Sequence, residues 1–192
     1  MKFSYFKPNI NIMSYCIFSH NESETSPHRE YHEKHYGFPV KEDDALFGRL
    51  ILEINQAGLS WTTILKKQEN FKKAYSDFNI VKVAAYDSVD IERLLSDAGI
   101  IRNKLKVHAA IHNAQVLLVI IEEYGSFDAW LYANHPKSRA EWTKLFKKTF
   151  KFVGGEIVNE FLMSIGYLPG AHDEDCVVYN MILKYEPKWL EK

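Results

Sequence analysis

The chain has 192 residues, 46% of them hydrophobic and 14% aromatic, with a formal net charge of −1. This composition excludes a disordered chain, and the length suffices for one domain or two small lobes with an adequate core. The near-neutral charge excludes polyanion binding over the whole surface, so any nucleic-acid contact must come from a local patch.

Residues 1–44 read as irregular, with Pro8, Pro27, Gly37 and Pro39 as breaks. The spacing then turns helical almost throughout. DDALFGRLILEINQA repeats apolar residues at 46, 47, 50, 51 and 54, the 3.6-residue period of a half-buried helix. GLSW interrupts it, and TTILKKQENFKKAYSDF continues as a helix with a basic outer face. DSVDIERLLSDAG predicts a helix with Asp87 as N-cap and Gly99 as C-cap. RNKLKVHAAIHNAQVLLVIIEEYG predicts a long helix that stops at Gly125, and SFDAWLYAN a short one capped by Ser126. SRAEWTKLFKKTF opens on a capping box, Ser138 to Glu141. After KFVGG, EIVNEFLMSIGYLPG predicts a helix ending near Gly166 and Pro169. No segment alternates as a strand does, so the fold class is all-α.

Two cysteines, Cys16 and Cys176, build no disulfide framework. The opening MKFSYFKPNINIMSYC has no long apolar run of a secretory signal. The longest apolar run, VLLVII at 116–121, is far short of the roughly 20 residues of a membrane span. The cytoplasm is therefore the default location.

Three motifs carry chemistry. In FKFVGG, Gly154 and Gly155 let the backbone approach another body and open a helix whose unpaired amides favour an anion. Six basic residues and one acidic residue fall between 137 and 151, the pattern of a helix-hairpin-helix that holds one DNA strand by its backbone. Charge runs are more often solvated faces, so alone this motif favours an ordinary helical hairpin. In EINQAGLSW, Glu53 lies at the edge of the apolar stripe, and a carboxylate half out of water needs a partner. A carboxylate beside aromatics such as Trp61 is equipment for holding a flipped base, although spacing alone favours a capped helix end with a core Trp. In HDEDC, His172 and Cys176 stand one helical turn apart. With Cys16, His20, His28, His32 and His35 as further candidates, a tetrahedral zinc site needs four ligands, while free thiols and surface histidines are the commoner case.

Four runs carry a family resemblance: YHEKHYGFPV, LFGRLILEINQAGLSWTTILKKQENFKKAYSDFNIVKVAAY, DAGIIRNKLKVHAAIHNA and FKFVGGEIVNEFLMSIGYL. In this order, over roughly residues 13–180, they strongly resemble the 3-methyladenine DNA glycosylase I family. The resemblance implies an all-α helix-hairpin-helix glycosylase that forms one unit over 1–192. Its helical core would cover about 40–166, with segments 13–39 and 167–192 joined by one structural Zn2+. The ligands it implies are Cys16, His32, His172 and Cys176. It assigns Glu53 as the catalytic carboxylate and Tyr31, Trp61, Phe18 and His28 to the base pocket. Gly58 and Leu59 match a turn that fills the gap left by an extruded nucleotide. Lys151, Val153, Gly154 and Gly155 match the DNA-gripping hairpin. The implied partner is double-stranded DNA carrying alkylated bases, with no membrane, no obligate protein partner and a monomeric enzyme.

Several positions depart from the family pattern. Phe18 stands where Trp is usual, His28 where Tyr is usual, and Asn55 where Gln is usual. Glu33-Lys34-His35-Tyr36-Gly37 replaces Asp-x-Glu-Trp-Gly, and the gap from Cys16 to His32 is longer. His28 is expected to alter polarity at the pocket rim. The chemistry implied is release of a base that methylation has made cationic and a good leaving group. Glu53 would hydrogen-bond the base edge and complement its charge, while Asp173 and Asp175 would be solvated residues of the zinc turn. Two other classes are a DNA-damage-binding module without excision and a zinc hydrolase, the latter disfavoured because four ligands close the site.

Overall fold

The computed structural model describes residues 14–191, and all regular structure among them is helical. The segment read as irregular contains two helices, α1 (Tyr15–His20) and α2 (Pro27–Lys34). Ser14 caps the first by accepting from the Ile17 amide, and Ser26 caps the second from the His28 amide. Pro27 occupies the first turn of α2, where a missing N–H costs nothing, so this proline starts a helix instead of breaking one. Pro8 and the opening thirteen residues lie outside the described chain.

The helix α3 (Asp43–Gln56) is the central rod. Leu46, Phe47, Leu50, Ile51 and Ile54 are all fully buried, each side chain contributing about 1.5–3 kcal/mol by leaving water. Against it pack α4 (Trp61–Ala74), α7 (Lys104–Tyr124), α8 (Phe127–Ala133) and α10 (Gly155–Ser164). The short α5 (Ile80–Ala84) and α6 (Ser88–Ser96) lie on α7. Phe127, Trp130, Phe146, Phe150 and Phe161 interlock at centroid separations of 5.3 to 6.0 Å, locking α8 to α9 (Arg139–Thr149) and α10. The last helix, α11, spans Val177–Leu183.

Asp87 and Ser138 both form capping boxes, and Gly125 closes α7 at φ +88°. Gly99 is not a C-cap. The helix α6 ends at Ser96 with Asp97 as cap, and the Asp97 carboxylate takes the Gly99 amide at 2.7 Å. By length and mean hydropathy α7 could cross a membrane, which counting consecutive apolar residues does not flag. Half of its apolar window is spent on the core. His172 and Cys176 do not share a helical turn. Cys176 is the N-cap of α11, and its amide donates to the Asp173 carbonyl at 2.9 Å, so a loop turn brings the two together.

Candidate functional site

A cavity of about 270 Å3 opens where α1, α2, α3, α4 and α10 converge, lined by Tyr15, Tyr31, Tyr36, Glu53, Gln56, Trp61 and Glu160. Glu53 projects from the buried face of α3 and is only 4% exposed. No described side chain hydrogen-bonds it. Burial, reinforced by Glu160 and opposed by Arg49, pushes its carboxyl from 4.5 up to about 8. The partner expected for this carboxylate is thus missing among the described residues, and desolvation raises its proton affinity instead. The Trp61 indole N–H is likewise buried without a partner. Tyr31 meets Trp61 edge-on at 5.0 Å, and its hydroxyl accepts from Arg49 Nη1 at 2.9 Å. The cavity is an aromatic cage with two carboxylates and, among the described residues, no basic residue in its wall.

Glu53, Tyr31 and Trp61 therefore meet as expected. Phe18 and His28 do not line the cavity. His28 is buried, with the Tyr15 hydroxyl 3.1 Å from Nδ1 and the Thr62 hydroxyl 2.8 Å from Nε2. Phe18 stands edge-on to His28 at 5.0 Å and stacks on Tyr15 at 6.2 Å. His28 thus sits behind Tyr15 instead of at a rim, and Tyr15 presents the wall. Sequence reasoning missed Tyr15, Gln56 and Glu160, and recorded Tyr36 only as a departure. The Tyr36 hydroxyl donates to Glu160 at 3.0 Å.

The four proposed ligands converge. Cys16, His32, His172 and Cys176 are buried, and their donor atoms lie within 4.8 Å of one another. His172 Nδ1 is 3.6 Å from Cys16 Sγ, 3.9 Å from Cys176 Sγ and 3.1 Å from His32 Nε2, and Cys176 Sγ is 3.7 Å from His32 Nε2. Zn–S and Zn–N bonds of about 2.3 and 2.0 Å give tetrahedron edges of ~3.3–3.8 Å, so the donors fit such an ion. Burial, with the neighbouring His172 next, lowers His32 to about 4, and burial lowers His172, so both imidazoles are held in the neutral form that binds metal. Burial pushes the Cys16 thiol up to about 12, while the Asp173 amide pointing at its sulfur from 3.4 Å favours the thiolate. Asp175 lies near the clip, exposed and away from the cavity, and Asp173 borders the same outer groove.

The third region surrounds the hairpin between α9 and α10. Gly154 is the N-cap of α10 without a side-chain cap, and a Cβ there would meet nothing within 4 Å. Its lack of a side chain serves no internal contact. Lys147, Lys151 and Phe152 line the adjoining groove, Gly155 follows in the first turn of α10, and Val153 is buried beneath them. Asn113 of α7 clamps the turn, accepting from the Lys151 amide at 2.7 Å and donating to its carbonyl at 3.1 Å. Beside the hairpin, Gly58 adopts φ +82° and Leu59 is 39% exposed at the tip of the turn after α3. The buried Lys106 ammonium donates to the carbonyls of Asn55 and Ala57 at 2.9 and 2.8 Å, and lies 5.7 Å from the Phe152 ring. It compensates the negative end of the α3 dipole and ties that turn to the hairpin. A lysine and an asparagine in a long helix carry no sequence signal for such roles.

The model of the methyladenine glycosylase family matches residues 21–143. DNA-3-methyladenine glycosylase 1 of Escherichia coli is 36% identical over 168 residues, covering 78% of this chain and 89% of that protein. A point variant of 3-methyladenine DNA glycosylase I, solved in complex with 3-methyladenine, superposes with a TM-score of 0.76 at 32% identity, over 86% of this chain and 97% of its own. The Staphylococcus aureus 3-methyladenine DNA glycosylase I gives 0.73 at 32% identity, over 81% and 93%. With a family model over most of its length and such relatives, the chain belongs to the methyladenine glycosylase family.

Proposed function

We propose that this protein is a monofunctional DNA glycosylase of base-excision repair. It hydrolyses the N-glycosidic bond of 3-methyladenine in alkylated duplex DNA, releasing the base and leaving an abasic site. The observation that carries this reading is Glu53, a buried carboxylate with no hydrogen-bond partner among the described residues, in an aromatic cavity. An extruded base that carries positive charge supplies both missing elements, a donor edge and a countercharge. Tyr31 and Trp61 sandwich or edge the base, and the Trp61 N–H gains an acceptor. Methylation makes the base a leaving group that departs without further protonation, so water attack on the sugar needs no strong general acid. Leu59, raised on the Gly58 turn, fills the stack that the nucleotide vacates. Lys151, Val153, Gly154 and Gly155 grip the strand through amides and charge.

Zn2+ suits the Cys16–His32–His172–Cys176 donor set, closed at four ligands and therefore structural. It joins the N-terminal and C-terminal segments of a single folded unit. The decisive experiment measures 3-methyladenine released from alkylated duplex DNA, by the wild type and by Glu53→Gln. Release by the wild type with a loss of about 100-fold or more in the variant is expected. DNA binding without release would favour the non-excising module, and full activity of Glu53→Gln would remove Glu53 from the chemistry.

A further inference from the structure

We propose that Glu160 is a second specificity-determining carboxylate of the cavity, making it a two-carboxylate cage selective for purines with a formal positive charge. The proposal rests on the base-excision reading above and deepens it.

Glu160 and Glu53 line one cavity from two helices, α10 and α3, and among the described residues no lysine, arginine or histidine lines it with them. The nearby cations, Arg49 beside Glu53 and Arg139 beside Glu160, each hydrogen-bond another group. Arg49 donates to the Tyr31 hydroxyl, and Arg139 pairs with Glu156, one turn before Glu160 on α10. Neither carboxylate forms a salt bridge among the described residues. The Tyr36 hydroxyl donates to Glu160 Oε2 at 3.0 Å and fixes its position. Tyr36 itself is held edge-on by Tyr15 at 5.6 Å and tilted on Tyr31 at 5.5 Å.

Two carboxylates sharing a poorly hydrated space repel one another when both are ionised, and Glu160 raises the cost of ionising Glu53. Both are displaced upward, first by burial. A cationic base relieves the repulsion and is attracted by both groups, whereas a neutral base of the same shape gains neither effect. Aromatic faces on Tyr15, Tyr31, Tyr36 and Trp61 add to the preference for a cation. Glu160 also stands on the helix that begins at Gly155 of the hairpin, so the element proposed to grip the strand also delivers the second charge.

The test uses two free-base probes, 3,9-dimethyladeninium, which is permanently cationic, and 9-methyladenine, which is neutral. Affinity of each is measured for the wild type, Glu160→Gln and Tyr36→Phe, with melting midpoints to verify folding. Glu160→Gln retains an acceptor for Tyr36 while removing the charge, and is expected to weaken the cation about 10-fold with the neutral probe within about twofold. Tyr36→Phe keeps the charge and should retain the cation preference even if both affinities fall. An unchanged preference in folded Glu160→Gln overturns the proposal. If Glu160→Gln does not fold, Glu160→Ala replaces it, and an unchanged preference in that folded variant overturns the proposal. A wild type that releases no 3-methyladenine sinks the excision reading itself, whereas a releasing wild type with an unaltered Glu160→Gln preference sinks only the role of Glu160.

Discussion

His172 Nε2 lies 2.8 Å from the carbonyl oxygen of Tyr36. A carbonyl only accepts, so Nε2 carries the proton and Nδ1 is left with its lone pair toward Cys16, Cys176 and His32. The same bond that sets the ligand tautomer holds the backbone of a cavity-wall residue. The candidate metal site and the candidate base cavity are thus joined through Tyr36.

Cys176→Ser is expected to lose bound zinc, lower the melting midpoint by several degrees, and reduce excision indirectly by loosening Tyr36. Metal analysis of the purified variant, alongside a thermal melt, checks this. Full zinc occupancy in the variant would break the four-ligand assignment. Chelation of the wild type should reproduce the stability loss.

Glu53 makes stability depend on pH. Its carboxyl is raised from 4.5 to about 8 in the folded chain. The folded state therefore holds a proton that the unfolded state releases. The contribution is fully present below about 4.5 and is lost as pH rises through about 8. Denaturant melts of the wild type and Glu53→Gln across this window should differ in slope, with the variant flatter. Equal slopes would mean that Glu53 does not titrate in this range.

Asn113→Ala removes both hydrogen bonds that clamp Lys151 in the hairpin. A cost of about 1–3 kcal/mol in stability is expected from the unsatisfied backbone groups. DNA affinity should fall while affinity for free 3-methyladenine stays near that of the wild type. A parallel loss of both affinities would show that the hairpin and cavity are not separable.

Lys106→Met keeps the volume of the side chain but strands two carbonyls at the end of α3. Destabilisation of about 1–3 kcal/mol is expected, together with slower excision from duplex DNA. Free-base affinity should fall less, because the turn carrying Leu59 acts on the helix and not on the base. Wild-type excision rates in a destabilised variant would exclude that role.

Legibility in the sequence followed the physics of each feature. Helices with a clean 3.6 period and a side-chain cap, such as those after Asp87 and Ser138, were readable from local signals. Tyr15 and α1 were not, because a six-residue helix has too few turns to show periodicity, and its stability comes from packing. Glu53, Tyr31, Trp61 and the ligand set came through family resemblance; spacing alone left each ambiguous. Glu160 sits on a helix where an acidic residue reads as solvated, and only the approach of Tyr36 reveals that it faces the cavity. Lys106 was hidden for the same reason, since lysine on a helix is ordinarily a surface residue.

Every cavity-lining side chain lies at or before Glu160, yet the bond that anchors Tyr36 comes from His172. The contact that His172 makes with the Tyr36 carbonyl thus ties the wall of the cavity to a segment that follows all of its lining residues in chain order.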